Sequence, residues 1–147
     1  KDLAVFDRQF RLPAPPSFKI ITPAGKIPKW NPEDSDMTGW GGETTLDVQY
    51  AHTIAPRANI LLVETPVSET EGVTGFPQIV EAENYVIRHH LGDVISQSFS
   101  ATEQAVGSVA LQALRGAYLD AYSGHVTVLA GSGDSGATGF EANEQRY

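Results

Sequence analysis

The chain switches repeatedly between the period of a helix and the period of a strand. Leu3, Phe6 and Phe10 fall on one side of a helix over residues 2–10, and Leu12-Pro13 with Ala14-Pro15-Pro16 stops it. Phe18-Lys19-Ile20-Ile21 alternates as a short strand does, before a turn at Pro23-Ala24-Gly25. Residues 27–42, with Pro, Asp, Ser, Gly and two Trp, show no period and read as a surface loop in which Trp30 and Trp40 serve packing. A helix over 43–54 ends at Ala55-Pro56, and Ala58-Asn59-Ile60-Leu61-Leu62-Val63 reads as a strand buried on both faces. After a loop with Glu64, Pro66 and Gly72, Ile79, Val80, Tyr85 and Val86 mark a helix over 77–91, closed by Gly92. Residues 93–99 form the next strand. Val106, Val109, Ala110, Ala113, Leu114 and Ala117 give one long helix over 102–121 an Ala-rich face, and 125–130 form the last strand.

Helices alternating with apolar strands imply right-handed crossovers and a parallel α/β sheet with helices on both faces. In such sheets functional residues gather at the carboxyl ends of strands. Ser96-Gln97-Ser98-Phe99-Ser100 and Gly131-Ser132-Gly133-Asp134-Ser135-Gly136 stand there. No internal repeat, low-complexity tract or linker divides the chain.

Composition narrows the function classes. With 147 residues, 41% hydrophobic and 19% charged, the chain has the makings of one globular domain or a piece of a larger one. A net charge of −8 argues against nucleic acid and anionic membrane surfaces as partners, and it suits tolerance of acid. Without cysteine there is neither disulfide nor thiolate chemistry. No run approaches the roughly 18 apolar residues of a membrane-spanning helix. The N-terminus lacks the regions of a signal peptide, and the polar run ending at Tyr147 reads as a cut.

The candidate chemistry starts with Gly41-Gly42-Glu43-Thr44-Thr45-Leu46-Asp47-Val48-Gln49-Tyr50. Glu43 and Asp47, four apart at the start of a helix, share a face, and Leu46, Tyr50 and Ile54 fall beside them, so the acids are expected to turn inward. A solvated pair favoured by the helix macrodipole is the plain alternative. Gly131 to Gly136 also matches the dinucleotide-binding pattern G-x-G-x-x-G, but the following Ala137-Thr138-Gly139-Phe140 is a poor helix for holding a phosphate. His52, His89, His90 and His125 lack the spacing of a metal site and read as surface or packing residues.

Four stretches, Gly42-Glu43-x-x-Leu46-Asp47-Val48-Gln49-Tyr50, Asn59-Ile60-Leu61-Leu62-Val63, Val94-Ile95-Ser96-x-Ser98-Phe99 and Ser132-Gly133-Asp134-Ser135-Gly136, together resemble the sedolisins. These serine-carboxyl peptidases are secreted, act in acid and have a subtilisin-like fold. The resemblance runs over nearly the whole chain, including Asp2-Leu3-Ala4-x-Phe6-Asp7-x-Gln9-Phe10-x-Leu12-Pro13, and the wording is that of bacterial members. The tripeptidyl peptidase branch shares Leu-Asp-Val-Gln-Tyr.

The resemblance implies that Glu43 is the general base for a nucleophilic serine, Asp47 the acid that holds and tunes it, and Asp134 the oxyanion-hole residue. Chemistry supports each role: neighbouring carboxyls titrate as a coupled pair, and an acid facing an oxyanion must be protonated to donate. Both demands point to an acidic optimum. Ser98, Phe99, Ser100 and Gly133 align with the substrate-binding edge, which takes a peptide by strand addition. An ordinary core strand is the alternative reading of 98–100, where Phe99-Ser100 replaces the family's Trp-Gly. The family's Ser-Gly-Thr-Ser nucleophile segment, its calcium loop and the first strand region are missing from residues 1–147. The expectation is an incomplete subtilisin-like catalytic domain, inactive alone, whose partners are a polypeptide substrate and the remainder of its own domain. Calcium belongs to the full-length parent. A catalytically silent binding module and a nucleotide-binding domain are the alternatives.

Overall fold

The computed structural model describes residues 1–68, 74–101 and 103–133. The periods resolve into α1 (Asp2–Phe10), β1 (Phe18–Ile21), α2 (Ser35–Ile54), β2 (Ile60–Val63), α3 (Gly75–Arg88), β3 (Val94–Gln97), α4 (Glu103–Val106), α5 (Ser108–Ser123) and β4 (Thr127–Ala130). β1 pairs in parallel with β2, Phe18 opposite Ile60, and β3 with β4, Val94 opposite Thr127. The expected α/β alternation and parallel pairing are present. The described strands form two two-stranded sheets where one continuous sheet was expected.

The chain divides into two units. The first comprises Lys1–Ile21 and Pro28–Glu64, the second Thr22–Ile27 and Thr65–Tyr147.

In the first unit, α2 begins eight residues earlier than the sequence period predicts. Asp34 caps it, its carboxylate accepting from the Met37 N–H at 3.0 Å. Gly39, Gly41 and Gly42 hide the helix from a hydrophobic pattern, and the Trp30 ring lies against Gly41, where a Cβ would come within 3.1 Å of it. β2 is half-buried along its length instead of enclosed on both faces. Among the described residues of this unit, the fully buried ones are both polar, Asp7 and His52. The His52 Nε2–H donates to the Pro13 carbonyl at 2.7 Å and lies 3.4 Å from an Asp7 carboxylate oxygen, so it ties α1 and the Pro-rich turn to α2. That makes His52 a packing residue, as expected.

The second unit holds the apolar core. Phe76, Ile79 and Val80 of α3 meet Val106, Ala110, Leu114 and Ala117, with Phe99 and Ala101 against them. Ile87, Ala121 and Val126 form a smaller cluster with Ile95 and Val128. The helix expected over 102–121 is broken at Gly107, whose φ of 79° L-residues rarely adopt, and Val109 just after it is exposed.

Three helices end in left-handed residues that are not glycine: Arg11 (φ 57°), His90 (φ 50°) and His125 (φ 58°). After each, an amide reaches back five residues, Leu12 to Asp7, Leu91 to Val86 and Val126 to Ala121. This is the Schellman closure. His90, not Gly92, therefore closes α3.

Candidate functional site

The candidate residues fall on both units. Glu43 and Asp47 lie in α2, and Ser98, Phe99, Ser100 and Gly133 lie in the second unit. Asp134, with Ser135 and Gly136, lies outside the described residues, as does the segment on which the dinucleotide-loop alternative depends.

The earlier start of α2 moves Glu43 and Asp47 from its first turn to its interior, beyond the reach of the N-terminal dipole. The helical repeat keeps them on one face, and both are half-buried. Their expected apolar neighbours do not turn inward: Leu46 is 48% exposed, Tyr50 63% and Ile54 82%.

In the second unit, the carboxyl ends of the paired strands come side by side. Gln97 is opposite Ala130, and the Gly131 N–H donates to the Gln97 carbonyl at 2.9 Å. Beyond this last rung, Gly133 sits beside Ser100, since a Cβ there would lie 3.7 Å from the Ser100 Oγ. Gly133 has a φ of 81°, which a side chain would strain. Ser98 is half-buried, and Ser100 and Gly131 to Gly133 are exposed, leaving an open ledge of backbone. The Phe99 ring turns into the core, edge-on to Phe76 with centroids 6.2 Å apart. This gives Phe99 a packing role next to the ledge.

One cluster beneath the ledge was not foreseen. Glu83 of α3 is 7% exposed and Gln97 4%. The Gln97 amide N–H donates to one Glu83 carboxyl oxygen, and the Tyr118 hydroxyl lies 3.4 Å from the Gln97 side-chain oxygen. The other Glu83 oxygen is buried with no hydrogen-bond partner among the described residues. Burial pushes the Glu83 carboxyl up to about 7, partly offset by the Gln97 hydrogen bond. Burial also raises the Tyr118 hydroxyl, with the Glu83 charge adding to it. Spacing carried a signal, because Glu83 falls in the apolar stripe of Ile79, Val86 and Ile87.

Among the described residues, no group of three or more His, Cys, Asp or Glu converges as a metal site would require, and no helix is long and apolar enough to cross a membrane.

The chain is 31% identical over 111 residues to kumamolisin of Bacillus sp. (strain MN-32), a sedolisin. The aligned stretch covers 76% of this chain and 19% of kumamolisin, so the chain spans about a fifth of that relative's length. No family model matches.

Proposed function

We propose that this chain is part of an acid-acting serine-carboxyl peptidase of the sedolisin type. The observation that carries the reading is the 31% identity to kumamolisin over 111 residues. In this reading Glu43 takes the proton from a serine that lies outside the chain, and the serine oxygen attacks the peptide carbonyl. Glu43 returns the proton to the amine as the C–N bond breaks, and water then hydrolyses the acyl-enzyme to free the serine. Asp47, on the same face of α2, is the second acid that holds and tunes Glu43. Asp134, protonated in acid, donates to the oxyanion as it forms. The ledge of 98–100 and 131–133 receives the substrate backbone. Secretion, a polypeptide substrate and a calcium ion in the longer protein belong to the same proposal, and none of the steps assigned to this chain depends on calcium.

The test uses a protein in which this sequence is joined to a Ser-Gly-Thr-Ser nucleophile segment. Pepstatin-insensitive peptide hydrolysis, greatest in acid, is expected, and Glu43→Gln is expected to lower kcat/KM by about 10²-fold or more. Full activity of that variant overturns the assignment. The 147-residue chain alone is expected to hydrolyse nothing, since it lacks the nucleophile segment.

A further inference from the structure

We propose that Glu83 is a positioning residue that acts through Gln97 to hold the carboxyl end of β3, and with it the 98–100 ledge, in place beside residues 131–133. That the ledge receives substrate rests on the peptidase reading above; the hold on the strand end does not.

Gln97 is the pivot of this arrangement. Its main-chain carbonyl accepts the Gly131 N–H, the last rung before both strands run out into the ledge. Its buried side chain is engaged at both ends, by Glu83 from α3 and by Tyr118 from α5. Ser98 leaves the strand immediately after it. Whatever fixes the Gln97 side chain therefore fixes where the ledge begins.

The state of Glu83 decides whether that grip lasts. Its second oxygen is buried and has no partner among the described residues, so a negative charge there lacks compensation. The neutral acid is tolerated; the carboxylate would accept the Gln97 N–H more strongly, but the cost of burying its charge is the larger effect and drives it toward solvent, away from Gln97. No cation stands near to relieve it among the described groups that pack around it. α5 presents Tyr118, and its charged residues Arg115 and Asp120 are exposed. Glu81 and Arg88 of α3 itself are exposed, as is Asp93 at the foot of β3, and β4 carries no titratable side chain. The ledge is thus held in acid, the range in which the Glu43, Asp47 and Asp134 chemistry would run, and is released as Glu83 ionises.

Amide hydrogen exchange on the 147-residue chain tests this without any activity. In the wild type, protection of the Gly131 N–H, corrected for intrinsic exchange, is expected to fall at least about tenfold between about pH 5 and about pH 8.5. Glu83→Gln, neutral and able to bond Gln97, is expected to stay protected throughout, and Glu83→Leu to be unprotected throughout. A flat wild-type profile, or a Glu83→Gln variant as open as Glu83→Leu, overturns the proposal. If a variant does not fold, the wild type decides alone. A Glu83 ¹³C-carboxyl titration that moves together with Gly131 protection supports the proposal, and one in the ordinary glutamate range overturns it. A fully active Glu43→Gln protein would remove the peptidase reading and leave these exchange outcomes untouched.

Discussion

A carboxyl group set among Ile79, Val86 and Ile87 makes the second unit sensitive to pH in a direction opposite to most acids. The Glu83 carboxyl is raised from 4.5 to about 7, so the folded chain keeps a proton that the unfolded chain has lost. Its stabilising contribution is complete below about 4.5 and declines as pH rises through about 7, where roughly 3 kcal/mol has gone. Glu83→Gln is expected to remove this slope from the unfolding free energy. The left-handed helix ends supply a second residue-level prediction. Arg11, at φ 57° and ψ 37°, holds a conformation that glycine adopts without steric cost. Arg11→Gly is expected to raise stability by about 0.5–1 kcal/mol in denaturant unfolding, and a loss of stability would show that the side chain contributes more than the backbone strain takes away. Glu83 was legible in the apolar stripe of its helix. The roles of His90 and His125 as helix closures were not, because they depend on backbone dihedrals that no side-chain pattern encodes.

At the scale of elements, α1 and β1 follow the sequence pattern residue for residue, because Leu3, Phe6 and the run Phe18 to Ile21 state their periods without interruption. α2 shows where such reading stops. Three glycines erase the period over its first half, although Asn31-Pro32-Glu33-Asp34 ahead of it held a capping signal. The glycines also weaken it. A Cβ at Gly39 or Gly42 meets nothing within 4 Å, so Gly39→Ala and Gly42→Ala are each expected to stabilise by about 1 kcal/mol. Gly41→Ala, which must displace the Trp30 ring, is expected to gain less. Thermal unfolding of the three variants ranks them, and equal gains would mean that Trp30 yields freely. For the candidate site, the pattern placed Glu43 and Asp47 on one face. The exposure of Leu46, Tyr50 and Ile54 was not foreseeable, since periodicity says which residues share a stripe and not what covers it.

At the scale of the molecule, the two units are held by different means. Every buried apolar residue among those described belongs to the second unit, while the first is closed around Asp7 and His52. Apolar burial supplies most of the free energy that resists opening, and about 25 cal/mol per Å² is the usual measure. Native-state hydrogen exchange is therefore expected to find the α2 and β2 amides less protected than those of α3 and α5. The reverse order would mean that the His52 tie outweighs an apolar core. The carboxylates lose charge in acid, and the net −8 falls toward zero in the range proposed for activity.

The two units are also interleaved along the chain, and this bears on how the protein is made. Thr22–Ile27 belongs to the second unit but precedes Pro28–Glu64 of the first. On a ribosome, which adds about 5–20 residues each second, this short segment emerges seconds before the body it joins. Gly25, where a Cβ would lie 3.4 Å from Pro66, has its neighbour some forty residues away in synthesis. The Gly25 segment thus has its neighbour only once translation has passed Pro66, just beyond the end of β2.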